Sequence, residues 1–197
     1  MRKLLFILSL FIVVSIFSSC EKTELEPTTL ELTVIDQVGN PISGAIVSLY
    51  ANATDFQKDQ NPVKDLLVSD SNGKVKISGL NSQIYFWYAE SDCKNNFNSG
   101  NTSTSALVAN QTTKFNVVLS STATLKIVNN YFNPYKIYIN GDYKFDIDGQ
   151  YTKTVYNMPA GNYTIKYVQI SGYVLYPTEG TLIGNVGCGG TLTATFP

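Results

Sequence analysis

Short runs of alternating apolar and polar residues, each closed by Gly, Asn, Asp or Pro, recur from residue 30 to the end of this 197-residue chain. Successive side chains of a strand point to opposite faces, so such a run buries one face and wets the other. Leu30-Glu31-Leu32-Thr33-Val34-Ile35-Asp36 sets Leu30, Leu32 and Val34 on one face. Ala45 to Tyr50, Leu66 to Ser69, Lys74 to Ile77, Ile84 to Ala89 and Lys114 to Leu119 follow as strands. Turns such as Gln37-Val38-Gly39-Asn40-Pro41 and Asp70-Ser71-Asn72-Gly73 separate them. Asn52 to Asn61 and Asn95 to Ser105 read as polar loops. No amphipathic helix is expected after the N-terminal segment, and the abundant Val, Ile, Thr, Tyr and Phe suit strands.

The second half repeats the pattern at Thr124 to Val128, Tyr135 to Ile139, Tyr143 to Ile147, Thr152 to Tyr156, Tyr163 to Val168, Leu182-Ile183 and Thr191 to Phe196. Asn140-Gly141 and Asp148-Gly149 are hairpin signals. Each half is long enough for one small core. The expected fold class is therefore all-β, with two tandem small β-sandwich domains over 28–120 and 121–197. The linker is so short that they should abut. The halves also echo each other: Leu80-Asn81-Ser82-Gln83-Ile84-Tyr85 and Met158-Pro159-Ala160-Gly161-Asn162-Tyr163 both run from an apolar residue through a turn to a Tyr that opens a strand. Common descent and the generic chemistry of a turn into a sandwich strand both fit.

The N-terminus is of another kind. Met1-Arg2-Lys3 is basic, Leu4 to Phe17 is apolar, and Ser18-Ser19 precede Cys20. A positive start, a short apolar stretch and small residues before a cut make a secretory signal peptide. The apolar run falls short of the roughly 20 residues that a stable membrane span needs. The segment resembles bacterial lipoprotein signals, with Phe17 where Leu is usual. That resemblance implies a signal peptide over 1–19 and a mature chain that begins at a lipidated Cys20. Several acyl chains on one residue would hold the protein to a membrane. Residues 20–27 then read as lipidated Cys and polar tether. The acidic Glu21, Glu24 and Glu26 look like the surface-export signals of Bacteroidetes-type lipoproteins, which implies an outer-membrane or cell-surface location.

Composition removes several chemistries. The chain has no His, and its one Arg is Arg2. Ser-His-Asp and Cys-His nucleophile systems are therefore absent, as are His-ligated zinc and bidentate Arg clamps on phosphate. From Cys20 onward 12 Lys stand against 15 Asp plus Glu, a formal charge of −3 with no Lys cluster. Nucleic acid, which needs a basic patch, is not an expected partner. Cys93 and Cys188 remain. Outside the cytoplasm they either form a disulfide that staples the two halves or stay as free thiols.

Val34 to Leu49, with Gly39-Asn40-Pro41 and Gly44-Ala45, and Ser69 to Leu80, with Asp70-Ser71-Asn72-Gly73, resemble the carboxypeptidase regulatory-like (transthyretin-like) family. Gly39 and Gly73 suit turns that need positive φ. The likeness covers about residues 29 to 119; Asn81-Ser82-Gln83 stands where the family has Pro-x-Gly. It implies a seven-stranded sandwich that serves as a non-catalytic accessory or spacer module. Related adhesin repeats carry Lys–Asn isopeptide bonds. None is expected here, because Leu30 to Asp36 has no Lys and Thr191 to Phe196 has no Asn to pair with Lys126. The second half resembles a small PEGA-like sandwich through Pro159-Ala160-Gly161-Asn162-Tyr163.

Three kinds of site come into question. Tyr131, Phe132, Tyr135, Tyr173 and Tyr176 lie near loops and are the candidate glycan-binding set, since aromatic faces with polar rims suit sugars. Tyr85 with Trp87, and Phe86 with Tyr88, take opposite faces of one strand, of which one must be core. Tyrosine is also simply a good strand residue. Asp142, Asp146 and Asp148 make no complete metal motif, and no paired carboxylates mark a catalytic cleft. The expectation is a non-enzymatic envelope lipoprotein without cofactor or metal. It acts as a structural or protein-interaction module, with surface glycan binding as the alternative.

Overall fold

The computed structural model describes residues 25–100 and 102–196. The signal peptide, Cys20 and the start of the tether lie outside the described residues. Fourteen strands and one short helix make up the rest: β1 Thr29–Ile35, β2 Ile46–Tyr50, α1 Ala53–Lys58, β3 Lys64–Val68, β4 Lys74–Ser78, β5 Phe86–Ser91, β6 Lys94–Asn95, β7 Thr112–Val118, β8 Ser120–Asn129, β9 Tyr135–Ile139, β10 Asp142–Ile147, β11 Thr152–Pro159, β12 Gly161–Gln169, β13 Glu179–Val186 and β14 Thr191–Phe196. The chain is all-β, as its alternation requires.

Two cores form. Leu30, Leu32 and Val34 of β1 point inward together and meet Val47, Leu49, Trp87 and Leu119 in the first. Tyr135, Ile137 and Ile139 of β9 do the same in the second, against Leu125, Ile127, Ile165 and Phe196. Each fully buried Leu or Ile contributes about 1.5–3 kcal/mol. The first core ends at Leu119 and the second begins at Ala123.

Both cores are built on one topology. In the first, β1 lies between β4, antiparallel, and β7, parallel, while β3, β2, β5 and β6 form the facing layer. In the second, β8 lies between antiparallel β11 and parallel β14, while β10, β9, β12 and β13 form the facing layer. Counted within each half, the orders are the same: 4-1-7 against 3-2-5-6. The two echoing segments occupy the same connection, from fourth to fifth strand. In each, the buried Tyr reaches back four residues: the Asn81 N–H donates to the Tyr85 hydroxyl at 3.0 Å, and the Tyr163 hydroxyl donates to the Pro159 carbonyl.

The halves are fused through sheet rather than merely adjacent. Leu119 alone separates β7 from β8. Ser120–Ser121 of β8 pair with Asn95 and Lys94 of β6, so the outer layer of the first sandwich runs on into the second. On the same edge of β8, the Thr122 N–H donates to the Cys93 carbonyl at 2.9 Å, and the Gly189 N–H donates to the Thr122 carbonyl at 2.8 Å. The two turns that meet at Thr122 are joined by the Cys93–Cys188 disulfide, 95 residues apart in sequence. Gly189 has φ +71°, and a Cβ there would sit 3.2 Å from the Cys93 Cβ, so this approach needs glycine.

Four local readings need correction. Asn52 to Asn61 contains α1: the Asn52 side chain caps it by accepting from the Asp55 N–H, and left-handed Asp59 ends it. Asp148-Gly149 makes no hairpin, because β10 and β11 belong to different layers. The strand at Leu182-Ile183 extends over Glu179–Val186. Asn95 to Ser105 is not all loop, since Asn95 belongs to β6 and Ser103 bridges to Phe86.

A bridge across 95 residues restricts the unfolded chain strongly, with typical contributions of about 2–4 kcal/mol. The Cys93→Ser/Cys188→Ser double variant should lose stability of about that size in urea unfolding. An unchanged midpoint would mean that the sheet alone holds the junction.

Candidate functional site

β8 runs from the junction at Ser120 to Asn129 at the opposite end of the second sandwich. Three loops gather there: 130–134 after β8, 148–151 after β10 and 170–178 after β12. Asn129 is buried and ties two of them. Its amide donates to the Asn133 carbonyl at 2.9 Å and the Asp148 carbonyl at 2.8 Å, and its side-chain oxygen accepts from the Tyr131 N–H at 3.0 Å. Gln169 closes the third by donating to the Ser171 carbonyl at 2.8 Å and accepting from the Thr178 N–H at 3.1 Å. The Ile170 N–H donates to the Pro134 carbonyl at 2.9 Å, linking loop to loop. These bonds satisfy backbone groups that loops would otherwise leave to water, so the tip has a defined shape.

Large apolar side chains of the 130–134 and 170–178 loops stand in solvent at the tip. Phe132 is 81% exposed, Val174 96%, Leu175 81% and Tyr176 84%. Tyr131 and Tyr173 are partly exposed, and Tyr151 stands nearby on the 148–151 loop. Residues 130–134 and 170–178 contain no charged residue. A depression of about 480 Å³ opens between the two loops, walled by Tyr131, Tyr173 and Tyr176 with Asn133, Gln169 and Thr178 at its polar edge. Contiguous apolar exposure of this kind marks recognition surfaces more often than plain solvent faces.

Of the five candidate aromatics, Tyr131, Phe132, Tyr173 and Tyr176 come together at this tip. Tyr135 does not belong with them as an exposed ring. It is 1% exposed and packs edge-on to Phe196 at 5.2 Å and to Tyr167 at 5.8 Å. Burial pushes its phenol up from the ordinary range. The reason is period two: Tyr135 shares the inward face with Ile137 and Ile139. It supports the depression from below, with Tyr131 leaning on it at 6.1 Å.

The strand Phe86–Ser91 divides as its alternation demands. Trp87 is wholly in the core with Tyr85, while Phe86 and Tyr88 face out. Of the three candidate aspartates, Asp142 pairs with Lys144 at 3.3 Å and Asp146 accepts from the Tyr143 hydroxyl at 3.2 Å, while Asp148 is exposed to solvent. Among the described residues no group of three or more His, Cys, Asp or Glu is gathered for a metal, and no helix is long and apolar enough to cross a membrane.

Sequence reasoning missed Asn129, Gln169, Val174 and Leu175. Val174-Leu175 was visible as an apolar pair inside a loop; the two amide clamps carried no such signal.

No protein-family model matches the chain, and no curated protein matches it significantly. Among solved structures it is similar to a streptococcal ancillary pilin (TM-score 0.41, 15% identity, 88% of this chain and 63% of that one). It is also similar to a leucine-rich repeat protein from Bacteroides thetaiotaomicron (0.38, 13%, 87% and 26%) and to the minor pilin of Streptococcus agalactiae (0.31, 16%, 84% and 94%). The chain thus spans under two thirds of the first pilin's length.

The loops of the tip approach each other closely at Gly149 and at Gly172. A Cβ on Gly149 would lie 2.0 Å from the Phe132 carbonyl oxygen. Gly149→Ala should therefore displace the 130–134 loop and cost about 1–3 kcal/mol, as overpacking does. A urea midpoint equal to that of the wild type would show that the loops are not locked together.

Proposed function

We propose that this chain is a non-catalytic recognition module of the cell envelope. It would be held at Cys20 by lipid at the outer membrane or cell surface and present a binding tip on its second sandwich. The observation that carries this reading is the apolar surface that Phe132, Tyr173, Val174, Leu175 and Tyr176 expose on two loops without a charged residue. The placement of the ends supports it. Thr29 opens β1 beside Thr112 and Ser78, while Ile35 ends it beside Val118 at the junction. The tether therefore leaves from the end of the first sandwich away from the junction, and the tip lies at the end of the second away from it. The first sandwich acts as the spacer, in keeping with its resemblance to carboxypeptidase regulatory-like modules.

The ligand class favoured at the tip is a glycan. Rings that flank an open depression, with amides at its edge, offer flat apolar faces to sugar carbons and hydrogen bonds to hydroxyls. A partner protein docked on the same tip is the other reading of an interaction module.

Soluble residues 25–197, which contain both cores, should bind a subset of a broad glycan panel. The Tyr173→Ala/Tyr176→Ala variant should lose about tenfold or more of that affinity, at about 1 kcal/mol per aromatic contact. A panel without binders, or a variant with unchanged affinity, would remove the glycan reading and leave protein docking to be tested on the same residues.

A further inference from the structure

A second cavity, of about 290 Å³, lies far from the tip, on the outer layer of the first sandwich where it meets the second. Its floor is Tyr88 of β5, on the outer face because Trp87 and Ala89 face the core; Tyr50 of β2 lies on the same face but is covered by Phe56 and only 1% exposed. Phe56 of α1 forms one wall, edge-on to Tyr50 at 5.8 Å and stacked on Phe86 at 6.0 Å. Exposed Phe97 and Asn157 form the opposite rim. Asn157 comes from the second sandwich and is fixed there. Its side-chain oxygen accepts from the Asn95 amide at 2.9 Å, and its backbone carbonyl accepts from the Asn98 amide at 2.6 Å.

Two carboxylates line this aromatic cavity, and no cation does. The Tyr50 hydroxyl donates to Asp59, and the Tyr88 hydroxyl donates to Glu90 at 3.0 Å. Asp65 adds a third negative charge close by, accepting from Ser48 on the same face as Tyr50. The ion pairs among the described residues are Lys74–Glu31, Lys114–Glu31, Lys144–Asp142 and Lys166–Glu179, none of which involves these acids. Burial and the adjoining carboxylates push both phenols up to about 12. Aromatic faces attract cations through their quadrupole, most strongly where the cation is partly desolvated, and carboxylates add direct attraction.

We propose that this junction cavity is a binding site for an organic cation, a primary or quaternary ammonium group, held between the rings of Phe56, Tyr88 and Phe97 and the carboxylates of Asp59 and Glu90, with buried Tyr50 positioning Asp59 from below. The site is complete only when the sandwiches are docked, because Asn157 closes its rim. It is separate from the tip and does not rest on the glycan reading.

Calorimetric titration of residues 25–197 at fixed ionic strength tests it. The ligands are choline and Nα-acetyl-lysinamide, each beside its uncharged shape analogue, 3,3-dimethylbutanol and Nα-acetyl-norleucinamide. At least one cation should bind about tenfold or more tighter than its analogue. Preference for choline would identify a quaternary head group, and preference for the lysine derivative a peptide side chain; either supports the site. Glu90→Gln and Asp59→Asn, surface changes that keep side-chain shape, should each weaken the preferred cation about tenfold, with the urea midpoint and tip binding unchanged. Equal binding of cation and analogue, no binding of either cation up to about 10 mM, or wild-type affinity in both variants would overturn the proposal.

Discussion

One edge of β8 carries the junction between the two cores. In succession it receives β6 at Ser120–Ser121, the Cys93 carbonyl at Thr122, the 187–190 turn at Thr122 and Thr124, and then β14. A strand edge left open would be a template for foreign strands. Here it is filled by both sandwiches in turn, and the disulfide fixes the place where they change over. A linker of one buried residue, Leu119, leaves the backbone little freedom to bend. The tip, the junction cavity and the direction in which the chain enters β1 all take their positions from this edge.

The common topology of the two halves gives the junction its logic. Each sandwich places its first strand in the middle of a three-stranded layer, between antiparallel fourth and parallel seventh strands. The seventh strand of one half therefore leads straight into the first strand of the next, in the same direction and across the boundary. The sixth strand of the first half is only two residues long, and it is the strand that borrows β8 as a neighbour. A short strand at that position leaves room for the second sandwich to dock.

Most of the fold was legible because period-two alternation is a physical consequence of burying one face. Leu30, Leu32 and Val34 read as core and are core. The same rule places Tyr135 inward with Ile137 and Ile139, and it overrides the nearness to a loop that suggests exposure. Helix α1 escaped because six residues carry too little periodicity; capping by Asn52 and the packing of Phe56 on Tyr50 and Phe86 define it. Asp148-Gly149 has hairpin chemistry, yet local turn chemistry does not say which layer the next strand joins. The tip was half legible: its rings were named, while the clamps Asn129 and Gln169 act across loops far apart in sequence. The junction cavity combines residues from Tyr50 to Asn157, and no local pattern announces it.

The shared β8 edge makes the two sandwiches one rigid unit. Backbone residual dipolar couplings, measured for both halves of residues 25–197 in one alignment medium, test it directly. One alignment tensor should fit both halves in the relative orientation of the structure. Tensors of different magnitude or direction for the two halves would mean that they move independently, and would contradict the account.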